Sequence, residues 1–309
     1  MAIFGSLGAA VGGALFWLGS RPPSAASVRD RLAVALSAPA DPLSVFHLGH
    51  SLVNRDMPAM LAQLAPPGHR YDSQLGWGTT LQAHWGDAEI LGFEAENAHP
   101  RFRPAHEAVE SGDYDAIVLT EMVEIRASIR YYDSPAYLAR WARKALAARP
   151  DVRLYLYETW HQLDDAEGWL ERLDLDHERY WLRRVLGPAL ARLPNDTQMH
   201  LIPAGQVLAA FVRKVEAQGG LGNVRDRTDL FARAEDGTLD QIHLNDMGNY
   251  LVALVHYAAL YHRDPVGLPH ALLRADGTAA QAPDTEVARL MQETTAEVVR
   301  NLGLSGLSR

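Results

Sequence analysis

The sequence predicts an α/β fold in which a parallel sheet carries helices on both faces. Three observations support this. From about Asp41 onward, short apolar runs alternate with longer amphipathic ones. The short runs are rich in β-branched and aromatic residues, whereas the longer ones repeat their apolar positions at helical spacing. The chain has 309 residues, 48% of them hydrophobic and 22% charged, which is enough to bury a core. Alternating strands and helices imply parallel strands joined by crossover helices.

The elements follow in chain order. Ser44 to Leu48 (SVFHL) is a buried strand, and Met57 to Ala65 is a helix. Tyr71 to Leu75 is a second strand. Ala116 to Leu119 (AIVL) is a third, fully apolar and β-branched. Ser134 to Ala148 is helical, with Ser134 as cap and Pro135 in the first turn. Val152 to Tyr157 and Met199 to Pro203 are further strands. Gln206 to Ala217, Asn245 to His262 and Glu286 to Leu302 are helices. The charged run from Glu171 to Arg184 reads as solvated helix face. In a sheet of this kind, ligands bind beyond the carboxyl ends of the strands. The residues just after each apolar run are therefore where function is sought.

Composition narrows the function. The net charge of -9 argues against general nucleic-acid binding, which needs a basic face. The absence of cysteine excludes disulfides, thiolate catalysis and Cys-based zinc sites. No H-E-x-x-H, EF-hand or Walker pattern occurs, so no metal or nucleotide cofactor is expected. Ala2 to Gly19 carries no charge and is about the minimum length of a membrane-spanning helix. A signal peptide, an uncleaved anchor and a start site that omits a basic leading segment all remain open, beside a buried core helix. The expected division is residues 1–23 as leader or anchor, 24–40 as a short helical linker and 41–309 as the α/β domain. The expected location is periplasmic or secreted, or anchored at the inner membrane.

Three short segments carry chemistry. Gly49-His50-Ser51-Leu52 follows the first strand and can present a serine hydroxyl at the sheet edge. A bare helix cap is the alternative for Ser51. The α/β-hydrolase elbow G-x-S-x-G is not met, because Val53 fills its last position. Gly76-Trp77-Gly78-Thr79-Thr80 follows the second strand, and its glycines let backbone N–H groups approach an oxygen. Asp240 and His243, three apart before a helix, can sit on one turn. There the carboxylate would orient the imidazole and stabilise its charged form. After the central strands, Tyr157-Glu158-Thr159-Trp160-His161 should also face the active edge. Trp160 and His161, together with Trp77, His84 and Glu121, are candidate substrate contacts.

Taken together, GHSL at Ser51, GWGTT at Gly78 and the Asp240/His243 pair opening HLNDMGNY resemble the GDSL/SGNH hydrolase family in order and separation. The resemblance spans most of residues 41–262, and His50 stands where that family usually has Asp. It implies a flavodoxin-like, three-layer α/β/α, SGNH hydrolase-like domain. It also implies a serine esterase in which Ser51 is the nucleophile, His243 the base and Asp240 its orienter. The Ser51 and Gly78 N–H groups would form the oxyanion hole, and no cofactor would be needed.

The family's third block, G-x-N-D, is missing. Glu124 stands at its Asn and Met122 at its Gly, with Glu121 the other acidic candidate. Losing one oxyanion donor typically costs about 10²–10³ in rate. A protonated Glu, a donor from Asn54, Thr120 or His84, or a hole of two backbone N–H groups would each resolve this. A Glu paired with Arg126 or Arg130 at the strand end is the structural alternative. Expected substrates are small-molecule, glycan or lipid esters, with the tryptophans favouring an O-acetylated carbohydrate. An O-acyltransferase with the same three residues and a non-catalytic binding domain are the rival readings.

Overall fold

The computed structural model describes residues 24–39 and 42–307. The leader expected over residues 1–23 lies outside the described residues. The first helix, α1 (Ala25–Leu32), is capped by the Ser24 hydroxyl, which accepts from Ser27 N. This is the stretch expected to be a linker, yet Val28 and Leu32 are buried in the core.

The chain then alternates as expected: β1 (Ser44–Leu48), α2 (Asp56–Leu64), β2 (Arg70–Gln74), and two short helices α3 (Phe93–Asn97) and α4 (Ala105–Ser111). It continues through β3 (Ala116–Thr120), α5 (Ile125–Tyr131), α6 (Ser134–Ala148) and β4 (Arg153–Glu158). Next come α7 (Trp169–Asp176), a wider helical segment (His177–Leu186), α8 (Gly187–Leu190), β5 (His200–Pro203) and α9 (Ala204–Ala217). A small antiparallel pair, β6 (Phe231–Arg233) and β7 (Leu239–Leu244), precedes α10 (Asp246–Tyr261) and α11 (Thr285–Leu302).

The five main strands are all parallel, in the order β2-β1-β3-β4-β5. This is the flavodoxin-like winding, whose chain reverses direction between β1 and β3. The predicted three-layer α/β/α class is thus observed. Alternate residues of each strand feed opposite layers, as strand geometry requires. Val45, Val118, Tyr155 and Ile202 pack under α2, α9, α10 and α11. Phe46, Ile117, Leu154 and Leu201 pack under α1, α4, α6 and the 177–186 helix. Both faces are covered, which is why β1 and β3 are buried at every position.

One expectation needs correction. The charged run from Glu171 to Arg184 is not simply solvated: Arg172, Asp176 and His177 are buried. Arg172 reaches from α7 to Glu124, Asp165 and Asp176, at 2.8, 2.6 and 2.5 Å. Three carboxylates around one guanidinium make that burial tolerable.

Candidate active site

β1 ends at Leu48, and Gly49 and His50 lead the chain into the turn that carries Ser51. A side chain on Gly49 would sit 2.7 Å from Thr120 Cβ, so the closeness of β1 and β3 demands glycine here. Two buried histidines fix this turn. His50 Nδ1 accepts from Leu52 N, and its Nε2 donates to the Glu121 carbonyl at 2.9 Å. His84 Nδ1 accepts from Gln74 Nε2, and its Nε2 donates to the Gly49 carbonyl at 2.7 Å. Burial lowers both pKa values to about 4, so each ring is neutral and each has one donor and one acceptor nitrogen.

The Asp240/His243 pair lies on β7, just ahead of α10. A regular strand would point residues three apart to opposite faces. Here two residue steps of β6, from Phe231 to Arg233, face five of β7, from Leu239 to Leu244. The surplus residues bulge, and Asp240 Oδ1 gathers the N–H groups of Ile242 and His243 at 2.8 and 2.9 Å. That local turn puts both side chains on one side. His243 Nδ1 then donates to Asp240 Oδ2 at 2.8 Å, leaving Nε2 to accept from the Ser51 hydroxyl at 2.9 Å. Partial burial opposes the Asp240 charge, but the two backbone N–H groups and the imidazole hold its pKa below the ordinary value.

Ser51, His243, Gly78 and Trp77 line one cavity of about 990 Å³. Gly78 has φ +52°, a conformation that favours glycine. Among the described residues, neither the Ser51 nor the Gly78 N–H donates to any acceptor. Two unspent donors beside a serine hydroxyl can receive a developing oxyanion.

The other expected site residues are placed as follows. Trp77 is 55% exposed at the cavity wall, its indole N–H on Glu96. Asn54 also lines the cavity, but its oxygen caps α2 at Asp56 N and Met57 N. Its amide donates to Asn249. Glu124 is not an oxyanion group. It caps α5 through Arg126 N and pairs with Arg126 and Arg172. Burial raises its pKa, yet hydrogen bonds from the two arginines outweigh this and keep it ionised. Glu121 is fully buried, accepting from Leu81 N and Met122 N, and burial raises its carboxyl to about 7.

His84, Trp160 and His161 are buried away from the cavity, which corrects their expected role as substrate contacts. Trp160 serves the site indirectly, because its indole N–H holds the Ile242 carbonyl at 2.7 Å. The next-but-two residue helps as well: Leu163 N donates to the Gln241 carbonyl. Together they clamp β7 between Asp240 and His243. Sequence reasoning also misses the 274–276 segment of the cavity wall, which Arg274 ties to Asp246 at the start of α10. No apolar run announces that segment. Among the described residues, no cluster of three or more acidic or histidine side chains is arranged to hold a metal ion.

No protein-family model matches the sequence, and no curated protein matches it. Solved structures resemble the fold. A DUF4886 family protein of Bacteroides uniformis is 15% identical, with TM-score 0.49, over 84% of this chain and 95% of that one. A Parabacteroides merdae protein named for its likeness to GDSL lipases is 11% identical, with TM-score 0.43, over 74% and 99%. The Bacillus subtilis protein YxiM is 13% identical, with TM-score 0.42, over 70% of this chain and 55% of that one. Likeness at this level bears on no residue's role.

Proposed function

We propose that this chain is a serine ester hydrolase acting by acyl transfer. One observation carries the reading: a continuous Ser51–His243–Asp240 hydrogen-bond chain, at 2.9 and 2.8 Å, opening on a cavity with two unspent backbone N–H groups. His243 Nε2 takes the hydroxyl proton as Ser51 Oγ attacks the ester carbonyl. Asp240 stabilises the imidazolium without itself being protonated. The Ser51 and Gly78 N–H groups receive the oxyanion. His243 gives its proton to the departing alkoxide, leaving an acyl-serine and an alcohol. Water, deprotonated by His243, then releases the acid and restores the serine.

Water is favoured over an alcohol acceptor because the site is open, with the His243 side chain 44% exposed. A transferase needs a site that shields the acyl-enzyme from water. For the substrate, the exposed Trp77 face favours the flat apolar side of a sugar ring, and hence an O-acylated carbohydrate. With Glu124 spent on arginines, the oxyanion hole has two donors.

A fluorophosphonate probe tests the reading. The wild type should be labelled at Ser51, should hydrolyse short p-nitrophenyl esters, and should lose both properties in Ser51→Ala. A wild type that takes no label and turns over no ester would leave a binding domain as the better account.

A further inference from the structure

Helix α10 packs against α2, and where the two helices begin, Asn54 and Asn249 meet on the wall of the cavity that holds Ser51. Asn54 lies three residues past the nucleophile in the same turn, where Val53 N and Asn54 N both donate to the His50 carbonyl. Its backbone is left-handed, with φ +44°, a conformation that Asn and Asp tolerate better than most side chains.

A side-chain amide has an acceptor at one end and a donor at the other, and its partners decide which end points where. Asn54 Oδ1 accepts from Asp56 N at 2.7 Å and from Met57 N at 3.0 Å. Two backbone donors admit only an oxygen there, so Asn54 turns its Nδ2 to Asn249. A donor needs an acceptor opposite it, so Asn249 presents its Oδ1, at 2.8 Å. The Nδ2 of Asn249 is left over. Among the described residues it donates to no acceptor. Asn249 is only 5% exposed, yet this nitrogen is not one of the sealed polar atoms of the core, and the residue forms part of the cavity wall. A nearly buried amide whose free N–H groups meet open cavity awaits an acceptor that the protein does not supply.

We propose that Asn249 Nδ2 is a substrate-binding donor that selects an ester carrying a further uncharged oxygen, an ether or a hydroxyl, and that Asn54 is its positioning residue. The inference rests on the hydrolase reading. A neutral N–H contributes modestly to a ligand that satisfies it. A ligand that lacks the oxygen leaves the donor desolvated and unpaired, which costs more and so discriminates. The oxygen can belong to the alcohol part, as in a sugar ring, or to the acyl part, as in an alkoxyacyl group.

Asn54→Asp reverses the relay. One carboxylate oxygen keeps the two α2 N–H groups, and the other accepts from Asn249 Nδ2, so the Asn249 amide turns over and shows the cavity an oxygen. Asn249→Asp reaches the same end directly, because one carboxylate oxygen still accepts from Asn54. Neither change removes an internal hydrogen bond, so thermal stability should be kept. Binding is read first, without turnover. Tetrahydropyran, a ring ether that can only accept, is titrated against the full chain while the Asn249 side-chain amide is followed by heteronuclear NMR. Its signals are the pair that Asn249→Asp removes. The wild type should show a saturable shift, weakened about tenfold in Asn54→Asp. No saturable shift, or equal binding in Asn54→Asp, overturns the subsite whatever the enzyme hydrolyses.

Turnover then locates the oxygen. The pair methoxyethyl acetate and butyl acetate places it in the alcohol part. The pair p-nitrophenyl methoxyacetate and p-nitrophenyl butyrate places it in the acyl part. The two members of a pair differ in intrinsic reactivity, so the quantity compared is the change from wild type to variant. In at least one pair, both variants should lower kcat/KM for the ether ester about tenfold relative to its hydrocarbon twin, through KM. An equal change in the two members of each pair overturns the subsite, and if that change lay in kcat, Asn249 would serve the oxyanion instead. Intact tetrahydropyran binding with no turnover of any of the four esters sinks the hydrolase reading alone.

Discussion

Asp240 reaches the reaction only through His243, so its replacement isolates what an orienting carboxylate contributes. In Asp240→Asn the amide oxygen can still accept from Ile242 N and His243 N, which hold the bulge together. The charge that stabilises the imidazolium is gone, and an amide hydrogen facing Nδ1 would favour the wrong tautomer. We expect kcat for p-nitrophenyl esters to fall about 10³–10⁴-fold with unchanged thermal stability. A loss under tenfold would mean that the pair does not act in proton transfer. Trp160 gives a gentler test. Trp160→Phe keeps an aromatic ring in the core but strands the Ile242 carbonyl, which now accepts from the indole. Freed from that tether, β7 should hold His243 less well. We expect kcat to drop about tenfold and KM to change little. Steady-state kinetics on one ester would show a raised KM with kcat little changed if Trp160 served substrate binding instead. Ser51 is legible as a candidate in the sequence because it stands just past an apolar run, and Asp240 and His243 because they stand three apart just ahead of a helix. For Glu124 the alternative of a pair with Arg126 is the one observed, while Arg172, which arrives from a distant helix, has no signal at that position in the sequence.

At the scale of elements, the strands and long helices are legible because burial on both faces imposes apolar runs that composition alone reveals. Helices α3, α4 and α5 are too short to show a period. The β6–β7 hairpin is hidden for another reason: its bulge breaks the alternation that marks a strand. The signal that could have found it is Asp236-Gly237, a turn pair lying between Phe231 and His243. What joins this hairpin to the rest is Asn245. Its side-chain oxygen caps α10 through Met247 N and Gly248 N, and its amide donates to the Asp229 and Phe231 carbonyls. One residue thus fixes the start of the longest buried helix and the strand that opposes His243. Asn245→Ala should lower stability by about 1–2 kcal/mol, as cap losses do. It should also lower kcat, since both ends of the hairpin loosen. Asn245→Asp keeps the cap and loses the amide donor. It should therefore recover stability in urea denaturation without recovering kcat; recovery of both would show that the cap alone positions the histidine.

For the whole molecule, the unusual quantity is the number of buried histidines. His47, His50, His84, His200 and His256 are each at most 3% exposed. Burial, the largest cause for each, holds His50, His84, His200 and His256 at about 4 and pushes His47 well below its ordinary value. An unfolded histidine titrates near 6.5, so between that pH and about 4 the unfolded chain binds protons that the folded chain refuses. Stability contributed by neutral burial is therefore complete above about pH 6.5 and is lost as pH falls towards 4. Each ring is worth up to about 3 kcal/mol at the bottom of this range. A few of them equal the entire stability of an ordinary domain, about 5–15 kcal/mol. Glu121 works in the opposite sense. Its carboxyl, raised by burial to about 7, favours the folded state while protonated, and its cost appears as pH climbs from about 4.5 to 7. One carboxyl cannot offset five imidazoles, so the acid limb should dominate. We expect cooperative unfolding between pH 6.5 and 4, followed by tryptophan fluorescence, and a steeper loss than carboxylate titration alone would give. Glu121→Gln should raise the melting temperature at pH 8 and leave the acid limb where it was. A wild type that keeps its full stability at pH 4 would mean that these rings reach protons and partners in the folded state, against the sealed core that places Ser51 beside His243.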